Sequence, residues 1–247
     1  MIKEEQIKSI LNRKRIAQHK IILELLTRFS LINIYGKAGT GKTTYATQLL
    51  RYLLLSSERN VQYCIWVQAS ENFSKHRLIS MYKDRKSTLQ YIQNHILIIP
   101  EKHCRDYFQL TNILIKLSNT SIELPPETRV MIIDNISHHL RFEISHYSDI
   151  NLITSILDDF FDSVLLPLLF FCGRNNILLI LIHEVSYNPK QEKTTMFNHH
   201  LFENLQSLNI ELKKDLFSNQ RQLNFHYNNT SQSFKVDLTE KGIIFES

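Results

Sequence analysis

Glycine, proline and cysteine are scarce in this chain of 247 residues, which has five glycines, five prolines and three cysteines. The cysteines, Cys64, Cys104 and Cys172, lie far apart and form no CxxC pair. This spacing argues against a disulfide framework and against a thiolate zinc site. We therefore expect a reducing compartment, which is the cytoplasm or, in a eukaryote, the nucleus.

Long apolar runs are also missing. The most apolar stretch, Val164–Phe171, is interrupted by Pro167 and is too short to span a bilayer. The first residues lack the apolar stretch of a signal peptide, so we expect no membrane partner. The net charge of +5 and the pI of about 9.0 are compatible with a nucleotide or a nucleic acid as partner, but they do not require one.

The glycine that is present is concentrated in one short segment. Gly36, Gly39 and Gly41 lie close together and are followed directly by Lys42 and Thr43. The segment fits the pattern G-x-x-x-x-G-K-[ST] of the phosphate-binding P-loop. An ordinary glycine-rich turn is the alternative, but such a turn has no need of the Lys-Thr pair. The predicted nucleotide-binding residues are Gly36, Lys37, Ala38, Gly39, Thr40, Gly41, Lys42, Thr43 and Thr44.

The neighbours of this loop suit the same function. A short apolar segment at 31–35 predicts a strand before the loop, and residues 42–56 carry a helical apolar pattern after it. In that arrangement backbone N–H groups surround a β-phosphate, and the helix N-terminus adds partial positive charge. Lys42 would reach the β- and γ-phosphates and act in catalysis, while the Thr43 hydroxyl would bind the metal. The pattern predicts ATP and Mg²⁺ as cofactors.

Strands and helices alternate through the middle of the chain. Near-continuous apolar strands joined by helices predict an α/β fold with a mainly parallel sheet covered on both faces. After about residue 206, short alternating segments predict antiparallel strands appended to that sheet. We expect an N-terminal amphipathic helix over 1–29 and a core over 30–247. Predicted strands are 61–67, 95–99, 130–134, 177–182, 208–212, 223–227 and 234–238; predicted helices are 75–94, in one or two pieces, 105–119 and 150–172, with Pro167 a kink or break.

Three carboxylates follow predicted strands at the edge of the sheet where ligands of parallel α/β proteins bind. Asp134 ends the strand 130–134 and fits a Walker B aspartate that binds the metal. Glu71 is the first candidate for orienting the attacking water; the alternative is a helix N-terminal acid. Glu184 would sense the γ-phosphate or cap a loop.

The order of these motifs resembles the core of the RecA-family recombinases, particularly archaeal and eukaryotic paralogues of the RadB type. The resemblance covers roughly residues 30–245. It is carried by the P-loop, by the segment Asp134-Asn135-Ile136 with Leu140-Arg141-Phe142-Glu143, and by the closing Thr239-Glu240-Lys241-Gly242-Ile243. It implies a RecA-like P-loop ATPase core, an activity in DNA recombination and repair, and assembly with other recombinase subunits as homo- or hetero-oligomers.

Two departures from the family pattern concern catalysis. The family's catalytic glutamate precedes the Phe-x-x-x-Arg-Leu segment, here Phe73 to Leu78, at a position that Ser70 occupies. Either Glu71 serves through a one-residue shift, or hydrolysis is weak. The family's Asn-Gln pair after the last core strand is His183-Glu184 here. An acid at that position repels a γ-phosphate unless it is protonated or turned away.

The resemblance also implies contacts with single-stranded DNA from the segment after the last core strand. Here this segment, residues 186–200, interleaves aromatic and basic side chains, of which Lys190 and Lys193 are the predicted DNA-binding residues. An ordinary solvated loop is the alternative. Three functions follow: a recombinase paralogue or mediator with weak DNA-dependent ATP hydrolysis, a non-catalytic ATP-binding assembly module, and an unrelated P-loop kinase or ATPase.

Overall fold

A nine-stranded mixed sheet organises the chain. The computed structural model describes residues 22, 24–55, 61–189, 192–215, 220–228 and 230–246. Its strands are β1 (Leu31–Gly36), β2 (Tyr63–Gln68), β3 (Ile96–Ile99), β4 (Thr128–Asp134), β5 (Leu178–His183), β6 (Val185–Asn188), β7 (Lys193–Met196), β8 (Leu208–Lys214), β9 (Arg221–Tyr227), β10 (Thr230–Thr239) and β11 (Gly242–Phe245). The order in the large sheet is β11-β10-β9-β8-β1-β5-β4-β2-β3, and β6 and β7 form a separate hairpin.

The helices lie on both faces of this sheet. They are α1 (Lys42–Leu55), α2 (Lys75–Tyr82), α3 (Lys86–His95), α4 (Tyr107–Ser118), α5 (Ser137–Ile144), α6 (Ile150–Phe160) and α7 (Leu166–Arg174). A π-helical turn, Phe161–Leu165, joins α6 to α7, and a 3₁₀ turn, His199–Phe202, follows β7. The prediction of a mainly parallel sheet covered by helices is confirmed.

Pairing within the sheet agrees with the predicted strand directions except at β8. The strands β8, β1, β5, β4, β2 and β3 are mutually parallel, and β9, β10 and β11 are antiparallel. The alternating pattern of β8 predicted an antiparallel strand appended to the sheet. It is antiparallel to β9 but parallel to β1, with Ile210 opposite Ile34, because pairing on each edge depends on the neighbour and not on the strand's own pattern.

Two apolar clusters, one on each face, explain why the central strands are apolar at most positions. On one face Ile32 and Ile34 of β1 pack with α1, α2 and α3. On the other face Leu31 of β1 packs with α4, α5, α6 and α7. Since successive side chains of a strand point to opposite faces, both sets must be apolar.

The long helix predicted over 150–172 is divided by the π-helical turn. The N–H of Leu166 bonds to the carbonyl of Phe161, five residues earlier, and Pro167 follows in the first turn of α7. Proline has no N–H to donate, and a π turn is a common way to accommodate such a position inside a helix. The predicted interruption near Pro167 is confirmed as a change of helical pitch.

Three elements were not predicted: α5, the hairpin β6–β7 and β11. The hairpin occupies the segment expected to be a DNA-binding loop. The strand β11 is fastened to the P-loop helix, because the side chain of Gln48 donates to the carbonyl of Ile243 (2.9 Å) and accepts from its N–H (2.7 Å).

The predicted N-terminal helix lies only partly within the described residues. Residues 24–28 are helical, and the side chains of Leu25, Leu26 and Phe29 are buried in the cluster that contains Ile32. Residues 1–21 and residue 23 lie outside the described part of the chain. Within that part, no helix combines the length and the apolar character needed to cross a membrane.

Candidate functional site

The loop between β1 and α1 has the conformation that its glycines allow. Gly41 has a φ of +102°, and a Cβ placed there would lie 3.1 Å from Cδ1 of Leu238 on β10. A Cβ at Gly36 would overlap the carbonyl oxygen of Leu212 on β8. Both positions therefore require glycine, one for its backbone angle and the other for close approach of a neighbouring strand.

Lys42 begins α1 and folds back over this loop. Its Nζ donates hydrogen bonds to the carbonyls of Gly36 (2.7 Å) and Lys37 (3.1 Å). Burial lowers the pKa of Lys42, while the charges of Asp134, Glu184 and Glu71 act in the opposite direction. The ammonium group is thus held at the mouth of the loop, where a phosphate would be contacted.

Thr43 and Asp134 meet across the sheet edge, although 91 residues separate them in sequence. The Thr43 hydroxyl donates to Oδ2 of Asp134 over 2.8 Å. Burial, with a smaller contribution from the charge of Glu71, raises the pKa of Asp134 to about 6. The hydrogen bond from Thr43 and the charge of Lys42 act in the opposite direction. A hydroxyl and a carboxylate in contact beside a P-loop lysine fit Mg²⁺, which binds oxygen ligands and keeps several waters.

Glu71 lies on a short loop after β2. Its side chain is exposed, and its charge acts on both Asp134 and Lys42. The main chain of this loop is fixed to β4, because Ala69 N–H and Ser70 N–H both donate to the carbonyl of Asp134, over 2.7 and 3.2 Å. A solvated carboxylate on an anchored loop near Asp134 has the placement expected of a group that orients water.

Glu184 follows β5 and faces α5. Oε1 lies 2.9 Å from Nδ1 of His138, and Oε2 accepts a bond from Arg141 over 3.2 Å. Burial by itself raises the pKa of Glu184, but the bonds and charges of His138 and Arg141 outweigh it and hold the pKa below its ordinary value. The carboxylate is therefore ionised at neutral pH and its charge is compensated within the chain.

His183, the neighbour of Glu184, lies inside the fold. Its Nε2 is 3.1 Å from Oδ1 of Asn33, and Asn33 donates in turn to Asn209 over 2.8 Å. Burial, with a smaller contribution from Lys42, lowers the pKa of His183 to about 3. The ring is neutral and acts as part of a buried polar chain between β5, β1 and β8.

The hairpin β6–β7 carries Lys193, whose side chain is exposed. Lys190 lies outside the described residues. Arg141 ties the base of the hairpin to α5, because it also donates to the carbonyl of Val185 (3.2 Å) and its guanidinium lies 5.8 Å from the ring centroid of Phe197. The sequence motif Leu-Arg-Phe-Glu pointed to Arg141, but not to this contact.

A groove of about 1180 Å³ connects the hairpin with the P-loop. Its lining includes Lys193 and Thr195 of the hairpin, Gly36 and Lys37 of the P-loop, and Glu211 of β8. The carboxylate of Glu211 is compensated by Lys213 (3.0 Å) and by a hydrogen bond from Asn224 (3.2 Å). The groove therefore borders the first residues of the P-loop.

Sequence reasoning missed two side chains that shape the site, Gln68 and His139. Gln68 ends β2 and donates to the carbonyls of Pro100 (2.7 Å) and Glu101 (2.9 Å). His139 lies beside the carbonyls of Ala69 and Cys104. For Gln68 the available signal was a polar residue at the end of a buried strand, which marks the ligand edge of a parallel sheet.

Comparisons with known proteins agree with this architecture. The family model of the NB-ARC domain matches residues 14–115, which is less than half of the chain and includes the P-loop. The crystal structure of the RadB recombinase has a TM-score of 0.63 with this chain and 22% sequence identity, covering 86% of this chain and 89% of that one. A search of curated proteins finds no significant match. At this identity the likeness shows the fold, which is RecA-like with a P-loop.

Proposed function

We propose that the chain is an ATP-binding RecA-fold protein that acts on DNA in homologous recombination and repair, as a recombinase paralogue or mediator. The observation that carries the ATP assignment is the 2.8 Å contact between Thr43 and Asp134 beside the P-loop lysine. The likeness in fold to a RadB recombinase supports the recombination context.

The residues of the site have distinct roles in this proposal. Residues 36–44 hold the phosphates, with Lys42 as the cation at the mouth of the loop. Thr43 and Asp134 hold Mg²⁺, which, when bound, neutralises charge on the phosphate oxygens. Glu71 orients the attacking water and accepts its proton, because its carboxylate is exposed and lies within electrostatic reach of Asp134 and Lys42.

Single-stranded DNA is the proposed nucleic-acid partner, and other recombinase-family subunits are the proposed protein partners. Lys193 on β7 supplies an exposed cation for a phosphate, and Lys190, which lies outside the described residues, is the second proposed DNA-binding residue. The tie between the hairpin base and α5 through Arg141 places this surface next to the segment that follows Asp134.

A non-catalytic ATP-binding module is the second candidate. It is favoured by Ser70 at the position of the family's catalytic glutamate and by the engagement of Glu184 with His138 and Arg141. In that case ATP stabilises an assembly and turnover is negligible. The third candidate, a P-loop kinase, requires transfer of phosphate to a small acceptor.

The test is ATP hydrolysis with and without single-stranded DNA, for the wild type, Lys42→Ala and Glu71→Gln. We expect a slow DNA-stimulated rate that Lys42→Ala abolishes and Glu71→Gln lowers to a small but measurable residual rate, with ATP binding lost in Lys42→Ala and kept in Glu71→Gln. Binding of ATP without turnover in the wild type favours the assembly module. A wild type that does not bind Mg-ATP refutes both proposals.

A matched control tests whether the effect of Glu71→Gln is specific to that position or follows from the loss of any nearby negative charge. Glu101 is an exposed glutamate on the neighbouring loop after β3, so Glu101→Gln removes the same charge from a nearby loop. We expect hydrolysis to be unchanged in Glu101→Gln. Equal losses in Glu71→Gln and Glu101→Gln contradict the assignment of Glu71 as the base.

A further inference from the structure

We propose that His139 is a positioning residue that holds Glu71 in place for hydrolysis. The inference rests on the proposed function, since it names the group that orients the proposed base. His139 lies on α5, five residues after Asp134, and only 7% of its surface is exposed.

The ring of His139 bridges two loops through one nitrogen atom. Nε2 lies 2.9 Å from the carbonyl oxygen of Ala69 and 3.0 Å from that of Cys104. Carbonyl oxygens only accept hydrogen bonds, so Nε2 carries the proton and donates to both. The bridge joins the loop that bears Glu71 to the loop after β3.

The loop that bears Glu71 is fixed on both sides of that residue. On the near side, Ala69 is held by His139 and by the bond from its own N–H to the carbonyl of Asp134. On the far side, the N–H of Phe73 donates to Oε1 of Gln68 over 2.8 Å. Glu71 is thus placed midway between two anchored points.

The second loop is anchored by the same partners. Gln68 donates to the carbonyls of Pro100 and Glu101, and the N–H of Cys104 donates to the carbonyl of Gln68 over 3.2 Å. The two loops therefore form one platform, and His139 is the side chain that fastens it to α5. Removing the Nε2 donor leaves two buried carbonyls without this partner, which favours displacement of the loop.

Such a displacement affects turnover more than nucleotide binding. The phosphate contacts come from the loop between β1 and α1, whereas His139 acts on the loop after β2. A misplacement of about 1 Å in a group that orients a reactant lowers a rate by up to roughly 100-fold. We therefore expect loss of His139 to lower kcat and to leave KM for ATP nearly unchanged.

The test compares His139→Met with His139→Gln. Methionine keeps the apolar volume but has no donor, whereas the side-chain amide nitrogen of glutamine is as many bonds from Cβ as Nε2 of histidine. We expect His139→Met to lower kcat about 10- to 100-fold with KM within about twofold. His139→Gln restores most of the rate, and His139→Met causes no further loss in a Glu71→Gln background. An equal loss in both backgrounds, or no rescue by glutamine, overturns the proposal.

A second measurement does not depend on turnover. Hydrogen exchange of the amides of Ala69, Ser70 and Phe73 reports the anchoring directly, since each is hydrogen-bonded in the wild type. We expect exchange at least about tenfold faster in His139→Met and near the wild-type rate in His139→Gln. His138→Met, a change at the adjacent residue that faces Glu184, is the control and leaves these amides protected.

Unchanged protection in His139→Met overturns the positioning role whatever the hydrolysis results show. A wild type without hydrolysis, or one that Glu71→Gln does not slow, refutes the proposed catalytic function alone. The two failures are therefore distinguishable.

Discussion

Oε2 of Glu184 accepts a hydrogen bond from Nη1 of Arg141 over 3.2 Å, which joins the end of β5 to α5. The same arginine donates to the carbonyl of Val185, at the start of the hairpin β6–β7. An acid at this position is therefore compatible with a phosphate site, because its charge is compensated by groups of the chain itself. Its charge still acts on Lys42.

The contacts of Glu184 with His138 and Arg141 predict how the free energy of unfolding depends on pH. The pKa of Glu184 is held below its ordinary value, so its contribution is present above the unfolded pKa of about 4.5 and is lost as pH falls. We expect Glu184→Gln to lower the free energy of unfolding at pH 7 by less than about 1 kcal/mol, because the pair is partly exposed. Urea unfolding at pH 7 and at pH 3 tests this; a difference that persists at pH 3 contradicts it.

Asp134 predicts a pH dependence of stability with the opposite sign. Its pKa is raised to about 6, so the folded state binds the proton more tightly than the unfolded chain, and stability declines as pH rises from about 4 to 6. We expect Asp134→Asn to be more stable than the wild type at pH 7. The gain is about 1–2 kcal/mol, less than that of a fully enclosed group, because Asp134 is partly accessible. Urea unfolding of both proteins at pH 7 measures the difference.

The same titration gives a test of the proposed metal site. Protonated Asp134 does not bind Mg²⁺, so we expect the Mg²⁺ dependence of ATP binding to weaken as pH falls through about 6. Titrations of Mg²⁺ at a series of pH values measure this midpoint. A midpoint near 4, or the same pH dependence in Asp134→Asn, contradicts the assignment of Asp134 to the metal.

Two glycines, one in the P-loop and one in α7, provide a matched comparison of alanine substitutions. At Gly41 the left-handed φ of +102° and the contact with Leu238 disfavour a Cβ, whereas no heavy atom of the described residues lies within 4 Å of a Cβ at Gly173 on α7. We expect Gly41→Ala to lower the free energy of unfolding by about 1–2 kcal/mol and to abolish ATP binding. Gly173→Ala gains up to about 1 kcal/mol from helix propensity. Thermal unfolding and nucleotide titration measure both; equal behaviour contradicts the prediction.

The DNA assignment of the hairpin is tested at Lys193. We expect Lys193→Ala to weaken binding of single-stranded DNA about equally for all sequences. The slope of log affinity against log salt concentration falls by about 0.7 for each phosphate that is no longer neutralised. Lys116→Ala, on the exposed side of α4, is a charge-matched control and leaves binding unchanged. If the two variants bind alike, Lys193 does not contact DNA.

Local patterns predicted the parts of the fold that depend on neighbouring residues. The strands β4 and β5 follow from unbroken apolar runs, β1 from an apolar segment that Asn33 interrupts, and α2 and α3 from a helical stretch predicted in one or two pieces. The hairpin β6–β7 was missed, because its strands are only four residues long and β7 shows no alternation of apolar and polar residues. The parallel edge of β8 was missed because pairing partners come from distant parts of the sequence.

The sequence by itself determined the P-loop, because the pattern G-x-x-x-x-G-K-[ST] lies within consecutive residues and glycine is the residue that tolerates the φ at Gly41. Only the tertiary structure decided which groups surround it. Thr43 meets Asp134 across 91 residues, Glu184 meets His138 across 46, and His139 meets the carbonyl of Ala69 across 70. Such contacts arise when parallel strands bring the ends of separate segments to one edge of the sheet, which no local pattern encodes.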